Sequence, residues 1–570
     1  MPLFNALGRS LAAMGVALCL SACAGLPKNV DRPVSHALES PAGTPLAALA
    51  QQRHDAAHAR YDSGFMLLDG PPAAYGSRLA LVQAAQKTLD LQYYSIHADP
   101  STAQLLSAVR EAAARGVRVR ILLDDLHSTG KDAAVMEMAF VPNVEMRMFN
   151  PLAGARASGI GRMLASIDDA ARIQQRMHNK LFIADNVMAV SGGRNLGDAY
   201  FGKASDGNFV DLDVLTAGPV VKDLSRSFDA YWNNERAYPV QSLVSKEELD
   251  GLREQARQAV AAEREKQAPD DGDAATHSDP PPGPQSDARQ ADWDQKPMDL
   301  RTADFVWAPA AVLADKPAKI APDDNSPDAG QGKAPALQVR APAEAAPALD
   351  AAARTAASGD TVVEGLLQLI AQAQHDLLIV SPYFVPGPEM EQAFRTARAR
   401  GVRIRLLTNS LASNDAPAAH VGYARHRDEL LAMGVELYEL RSEQAGLGSA
   451  FGDSGRNVSG ESRSMLHSKA LVMDGHLLVV GSMNLDLRSQ LQNTEIALLI
   501  RSDRLCASAS EKIDRAMDRG AWHVELQDGH LVWHAPAGSG LADATHDPDT
   551  SEALRLMLKV IGPLAPDKLL

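Results

Sequence analysis

Short apolar runs alternate with amphipathic stretches over residues 56–249. The runs "KTLDLQYYSI", "VRVRILLDD", "VEMRMF", "HNKLFIADN" and "VMAVSG" read as strands. "TAQLLSAVREAAARG" reads as a helix, and its closing Gly116 sits where that helix must stop before the next strand. Strand and helix in alternation predict an α/β layered domain. The same order returns over 358–530, where Gly401 takes the place of Gly116.

Between these two domains the pattern fails. Residues 250–357 are rich in Pro, Asp and Ala, and "SDPPPGPQSD" and "APDDNSPDAGQGKAPA" are too polar and proline-rich for a core. A short ordered insert is expected near 303–320, where "ADFVWAPAAVLADKPAK" turns apolar. Residues 531–570 form a C-terminal tail. Its "SEALRLMLKVIGPL" is an amphipathic helix, expected to cap the second domain in preference to touching a membrane.

The alternation repeats because the sequence repeats. "DLQYYSI" from Asp90 resembles "DLLIVSP" from Asp376, and "ARGVRVRILLDD" from Ala114 resembles "ARGVRIRLLTNS" from Ala399. "MHNKLFIADNVMAVSGGRN" resembles "LHSKALVMDGHLLVVGSMN", with 17 positions from His178 to Asn195 and 17 from His467 to Asn484. The offsets are 286 at Asp90/Asp376, 285 at Gly116/Gly401 and 289 at His178/His467, so whole domains are duplicated.

At 570 residues and 45% hydrophobic, the chain is long enough for two cores. Arg9, the apolar "LAAMGVALCL" and small residues make 1–22 a signal peptide. "LSAC" resembles a bacterial lipobox and implies cleavage before Cys23, which is then lipidated, with 23–55 as a tether. Several acyl chains, at roughly 0.8 kcal/mol per buried methylene, would hold the protein at a bilayer. Ala24, in place of aspartate, resembles the pattern sent to the outer membrane, so the expected location is a bacterial cell envelope, lipid-anchored and facing the periplasm. Cys506 is then the remaining free thiol, and the mature chain has no disulfide. The net charge of -15, with no lysine- or arginine-rich run, argues against a nucleic-acid partner.

The duplicated motif carries the chemistry. Alternation along a half-buried strand puts His178 and Lys180 on one face. Asp185-Asn186 and Asp474-Gly475 read as tight hairpins, which sends both aspartates to a turn and gives these motif members a mainly structural role. Lys180 and Lys469 offer positive charge to a phosphodiester, while Asn195, Asn484 and the backbones of Gly192, Gly193, Gly481 and Ser482 offer neutral donors. Two such halves place two imidazoles on opposite sides of one phosphorus, one to attack and one to protonate the leaving alkoxide. H-x-K is not zinc-ligand spacing and a lysine repels a cation, so neither a metal nor another cofactor is expected; "DDLH" at Asp124–His127 reads as a strand end.

H-x-K-x4-D-x6-G-[GS]-x-N, present twice and matched at every position, resembles the signature of the phospholipase D superfamily over roughly residues 60–525. "LQYYSIH", "RMHNKLFIADN", "GGRNLGDAYF" and "FVDLDVLTAGPVV" look most like bacterial cardiolipin synthases of the C type. The resemblance implies two α/β/α sandwich domains about a pseudo-twofold axis, phospholipid substrates, a phosphohistidine intermediate and no metal. It makes His178 the nucleophile and His467 the acid, an order the two similar copies do not themselves decide. Glu495 in "NTEIAL" stands where the family keeps a carboxylate on a site histidine, and Asp211 in "VDLDV" matches it. Arg488 and Ser489 follow the second motif where Ala199 and Tyr200 follow the first, so the half-sites are chemically unequal.

Three functions compete. Phosphatidyl transfer giving cardiolipin leads. Hydrolysis to phosphatidic acid uses the same intermediate, and no single residue separates the two, because acceptor choice depends on excluding water. A non-catalytic envelope lipoprotein fits two intact motifs poorly.

Overall fold

The computed structural model describes residues 26–125, 133–152, 173–204, 207–251, 254, 295–320, 336–442 and 463–561. The signal segment and Cys23 lie outside them.

Two sheets form the body. In the first the strand order is β10-β1-β8-β6-β5-β2-β3-β4-β9, where β1 is Gly64–Leu68, β2 Thr88–Tyr93, β3 Arg118–Asp124, β4 Val144–Phe149, β5 Leu181–Ala184, β6 Met188–Gly192, β8 Asp213–Ala217, β9 Ala237–Pro239 and β10 Val306–Trp307. In the second it is β12-β11-β21-β19-β18-β13-β15-β16-β22-β23. Here β11 is Ala310–Asp315, β12 Leu337–Arg340, β13 Asp376–Val380, β15 Arg403–Asn409, β16 Glu436–Leu440, β18 Ala470–Met473, β19 Leu477–Gly481, β21 Ile496–Arg501, β22 Ala521–Gln527 and β23 His530–His534. Taken from β1 and from β11, the two orders correspond strand for strand, as duplication requires.

Helices cover both faces of each sheet. Pro71–Ala84 and Pro100–Ala114 lie outside the first, Val362–Ile370, Pro388–Ala399 and Pro417–Ala432 outside the second. Proline in the first turn starts four of these five, where its missing N–H costs no intrahelical bond. Gly116 and Gly401 take φ of +94° and +86° just past their helix ends, which an L side chain resists. The inner faces share a single core: Leu122, Ile183 and Val214 from one sheet pack in the same cluster as Leu378, Val472 and Val480 from the other, with helices Val220–Trp232 and Asp503–Gly520. Three clusters therefore replace the two cores expected, and the middle one belongs to both domains.

The stretch read as a linker contributes directly to this body. β10 joins the first sheet beside β1, while β11 lies between β12 and β21 as a fully buried strand of the second. At the other end of the chain, β23 continues the second sheet and helix Glu552–Ile561 follows it. That helix caps little: Leu554 and Leu558 are half-buried, but Leu556, Met557 and Val560 are 65%, 47% and 67% exposed. Among the described residues no helix is long and apolar enough to cross a membrane.

Candidate active site

The histidines do not lie within strands, as alternation suggested. Residues 178–180 precede β5 in extended backbone held by the other domain. Met177 bridges Thr494 in parallel, and the His178 N–H donates to the Thr494 carbonyl at 2.9 Å. The partner contact has the same form: β17 (Arg463–Leu466) runs parallel to β7 (Gly207–Val210), and the His467 N–H donates to the Val210 carbonyl at 2.8 Å. Each accepting residue is followed by a carboxylate, Glu495 after Thr494 and Asp211 after Val210. The parallel pairing thus sets a carboxylate of one domain against the imidazole of the other. His178 Nδ1 lies 2.9 Å from Glu495 Oε2, and His467 Nδ1 lies 2.7 Å from Asp211 Oδ2. Asp211 and Glu495, both fully buried, therefore stand behind the histidines. A carboxylate only accepts, so Nδ1 carries the proton and Nε2 keeps its lone pair for the reacting atom.

The lysines are buried beside them. Lys180 Nζ donates to the His178 carbonyl and Lys469 Nζ to the His467 carbonyl, each at 2.6 Å. Burial, with the opposing charge of the other lysine, lowers Lys180 to about 7; burial lowers Lys469 to about 8. Burial lowers His178 to about 4 against the pull of Glu495, with Lys180 and Lys469 adding to the depression. His467 falls well below its ordinary value through burial and the charges of Lys469, Lys180 and His178. Residues of both motifs thus act on one another's protons within one composite site. Tyr94 stands edge-on to His178 at 5.1 Å between ring centres, and Tyr200 to His467 at 5.4 Å.

The two carboxylates are held differently. Burial would raise Glu495, but His178, Lys180 and the Ser482 hydroxyl keep it below its ordinary value, and Ser489 Oγ donates to it as well, at 2.9 Å. Asp211 is raised by burial, with Lys469 and Arg194 opposing, and accepts the Leu212 N–H at 2.7 Å. The unequal pair Tyr200/Ser489 seen in sequence is part of this difference: Tyr200 OH accepts from Asn195 Nδ2, whereas Ser489 Oγ accepts the Asn484 N–H. Asn484 Oδ1 is buried without a hydrogen-bond partner.

Of the remaining expectations, the one that changes concerns the glycines. Asp185, fully buried, accepts the N–H groups of Gln86, Lys87 and Thr88 from the far end of its hairpin, and Asp474 does the same for Gln374, His375 and Asp376. Both hairpins turn through left-handed residues, Asp185-Asn186 and Asp474-Gly475, and these aspartates hold the fold without facing the histidines. The glycine-rich backbones do not all offer donors: the Gly481 N–H is bonded to Lys469 O and the Ser482 N–H to Ile496 O. Small residues are needed there for room, since a Cβ on Gly193 would lie 2.5 Å from Asp211 Oδ1 and one on Gly481 2.3 Å from Ile496 O. Asp124, at the end of β3, pairs with Arg176 and accepts the Met177 N–H, a strand-end role. Elsewhere, Glu391, His426 and Glu429 have a spacing that could hold a cation, but Arg395 pairs with both carboxylates.

Duplicated α/β/α domains with one histidine–lysine pair from each define the phospholipase D superfamily. The family model described as "Cardiolipin synthase, PLD-like domain" matches residues 79–232 and 366–517, and the chain belongs to that family. It is an enzyme of the superfamily's phosphatidyltransferase/phosphodiesterase class. It is 33% identical to cardiolipin synthase C of Escherichia coli over 89% of this chain and 96% of that protein. It is 23% identical to a cardiolipin synthase A of Yersinia pseudotuberculosis over 80% and 69%. A crystal structure of phosphatidylserine synthase from Haemophilus influenzae shares the fold at a TM-score of 0.51 and 13% identity, over 92% of this chain and 98% of that one.

Proposed function

We propose that the protein moves a phosphatidyl group between phospholipids through a phosphohistidine, with the glycerol head of phosphatidylglycerol as acceptor and cardiolipin as product. The observation that carries this reading is the exchanged pair of histidine–carboxylate contacts around two buried lysines. His178 Nε2 attacks phosphorus, the bond to the leaving alkoxide breaks, and the alkoxide takes a proton from His467. His467 then removes the proton of the acceptor hydroxyl, which displaces His178. Glu495 is the more firmly ionised carboxylate, which suits His178 as the group that becomes cationic on attack. Lys180 and Lys469 balance the phosphoryl charge. An anionic phosphodiester between the two lysines also raises both imidazoles, so that His467 carries its proton when substrate is bound. Cleavage and lipidation at Cys23 would keep this site at the bilayer of the cell envelope.

Acceptor partitioning tests it. Purified protein in mixed micelles should convert donor lipid to cardiolipin as phosphatidylglycerol rises, at the expense of phosphatidic acid, while total donor consumption changes less. Phosphatidic acid as sole product at saturating acceptor would make the enzyme a hydrolase.

A further inference from the structure

We propose that Asp315 and Lys319, in the stretch between the domains, are positioning residues for the His178 half-site; this rests on the function proposed above. Both lie outside the two family-matched stretches, and Asp315 closes β11. A turn through Pro317–Lys319 brings the lysine back onto it, with Nζ 2.7 Å from Oδ2 and side-chain exposures of 4% and 0%. Two charges so deeply buried are costly unless their remaining bonding capacity is used, and here it converges on Glu495.

Asp315 Oδ2 accepts the Glu495 N–H at 3.0 Å, and the Asp315 N–H donates to the Glu495 carbonyl at 2.9 Å. Lys319 Nζ also donates to the Ser489 carbonyl at 2.8 Å, and Ser489 Oγ donates to Glu495 Oε1. The pair therefore fixes the backbone of the carboxylate residue on both sides and one of the donors to its side chain. Asp315 Oδ1 accepts the Val362 N–H, tying the arrangement to the first turn of helix Val362–Ile370. The His467 half is braced by other residues: Arg194, paired with Asp213, donates to the Asp211 carbonyl.

As a pair, Asp315 and Lys319 are neutral toward the imidazole, so removing either charge alone unbalances it. His178 faces Glu495, Lys469 and His467 from the second domain and Lys180 and Tyr94 from its own, while Asp486 and Tyr231 lie within electrostatic reach of Glu495. Lys319→Met leaves a net negative charge and raises the imidazole's proton affinity. Asp315→Asn leaves a positive one and lowers it.

The test uses the full-length protein with donor and phosphatidylglycerol in mixed micelles. We expect the acid limb of kcat/KM to move to higher pH in Lys319→Met and to lower pH in Asp315→Asn. Each should lose tenfold or more in kcat with KM little changed, and Asp315→Asn/Lys319→Met should return the limb to its original position with kcat still low. Limbs that stay put while only Tm falls would make the pair structural and overturn the proposal. Should the single variants not fold, the double variant decides: wild-type kcat, or failure to fold as well, overturns it. The protonation of His178, followed by 15N NMR without lipid, separates this from the functional reading: no turnover with the opposed shifts intact defeats the function alone.

Discussion

His178 Nδ1 is 2.9 Å from Glu495 Oε2, a carboxylate 317 residues further along the chain and in the other domain. The contact is matched by His467 and Asp211, so each imidazole is oriented by the half to which it does not belong.

Glu495→Gln keeps the shape of this contact but presents a neutral amide, which cannot stabilise an imidazolium. Turnover should fall by about 10²–10⁴-fold with little change in Tm, by analogy with loss of the orienting carboxylate in a catalytic triad. Steady-state rates with circular dichroism check it; a variant within threefold of wild type would show that the carboxylate has no part in turnover.

The pH profile follows from burial. His178 must be neutral to attack, so kcat/KM should fall as pH drops through about 4, well below the ordinary 6.5. His467 must take up a proton as substrate binds and the lysines must be charged, so it should also fall as pH rises, at the latest through about 7 to about 8. The kcat profile should lie at higher pH, because it reports the complex, in which bound phosphate favours protonation. Limbs near 6.5 and 10.5 in kcat/KM would mean solvated groups and a different site.

Asp185→Ala removes a fully buried carboxylate that accepts three backbone N–H groups. Stability should drop by at least about 2 kcal/mol, since stranded buried donors cost about 1–3 kcal/mol each. Protein that does fold should keep kcat within a fewfold. Denaturant melts and assays on the same sample check this; a stable protein without activity would return Asp185 to the chemistry.

Gly193→Ala drives a methyl group against the Asp211 carboxylate, whose Oδ1 would lie 2.5 Å away. His467 should lose its partner, and activity should fall at least about tenfold, the equivalent of about 1.4 kcal/mol in the barrier. Unchanged kcat would show that Asp211 can shift without consequence.

The motif could be read because it occurs twice, and the hairpins because Asp185-Asn186 and Asp474-Gly475 suit left-handed turns. The exchange could not. The resemblance implied that Asp211 and Glu495 were carboxylates of site histidines but not which histidine each served, since that depends on pairing between residues hundreds of positions apart. For β11 the apolar run "AAVLAD" predicts an ordered insert but not its place inside the second sheet, which comes from lying against Ile496–Arg501. The glycines misled because their value is the volume they leave empty, which a pattern of donors does not register.

Duplication ordinarily leaves a spare, so that one copy can decay while the other works. The crossed carboxylates remove that insurance. On the function proposed above, damage to Glu495 would disable the histidine of the opposite repeat, and damage to Asp211 would do the reverse. Neither repeat could then be trimmed away, repurposed or allowed to drift on its own, and the enzyme would behave as an obligate heterodimer whose stoichiometry is written into a single gene.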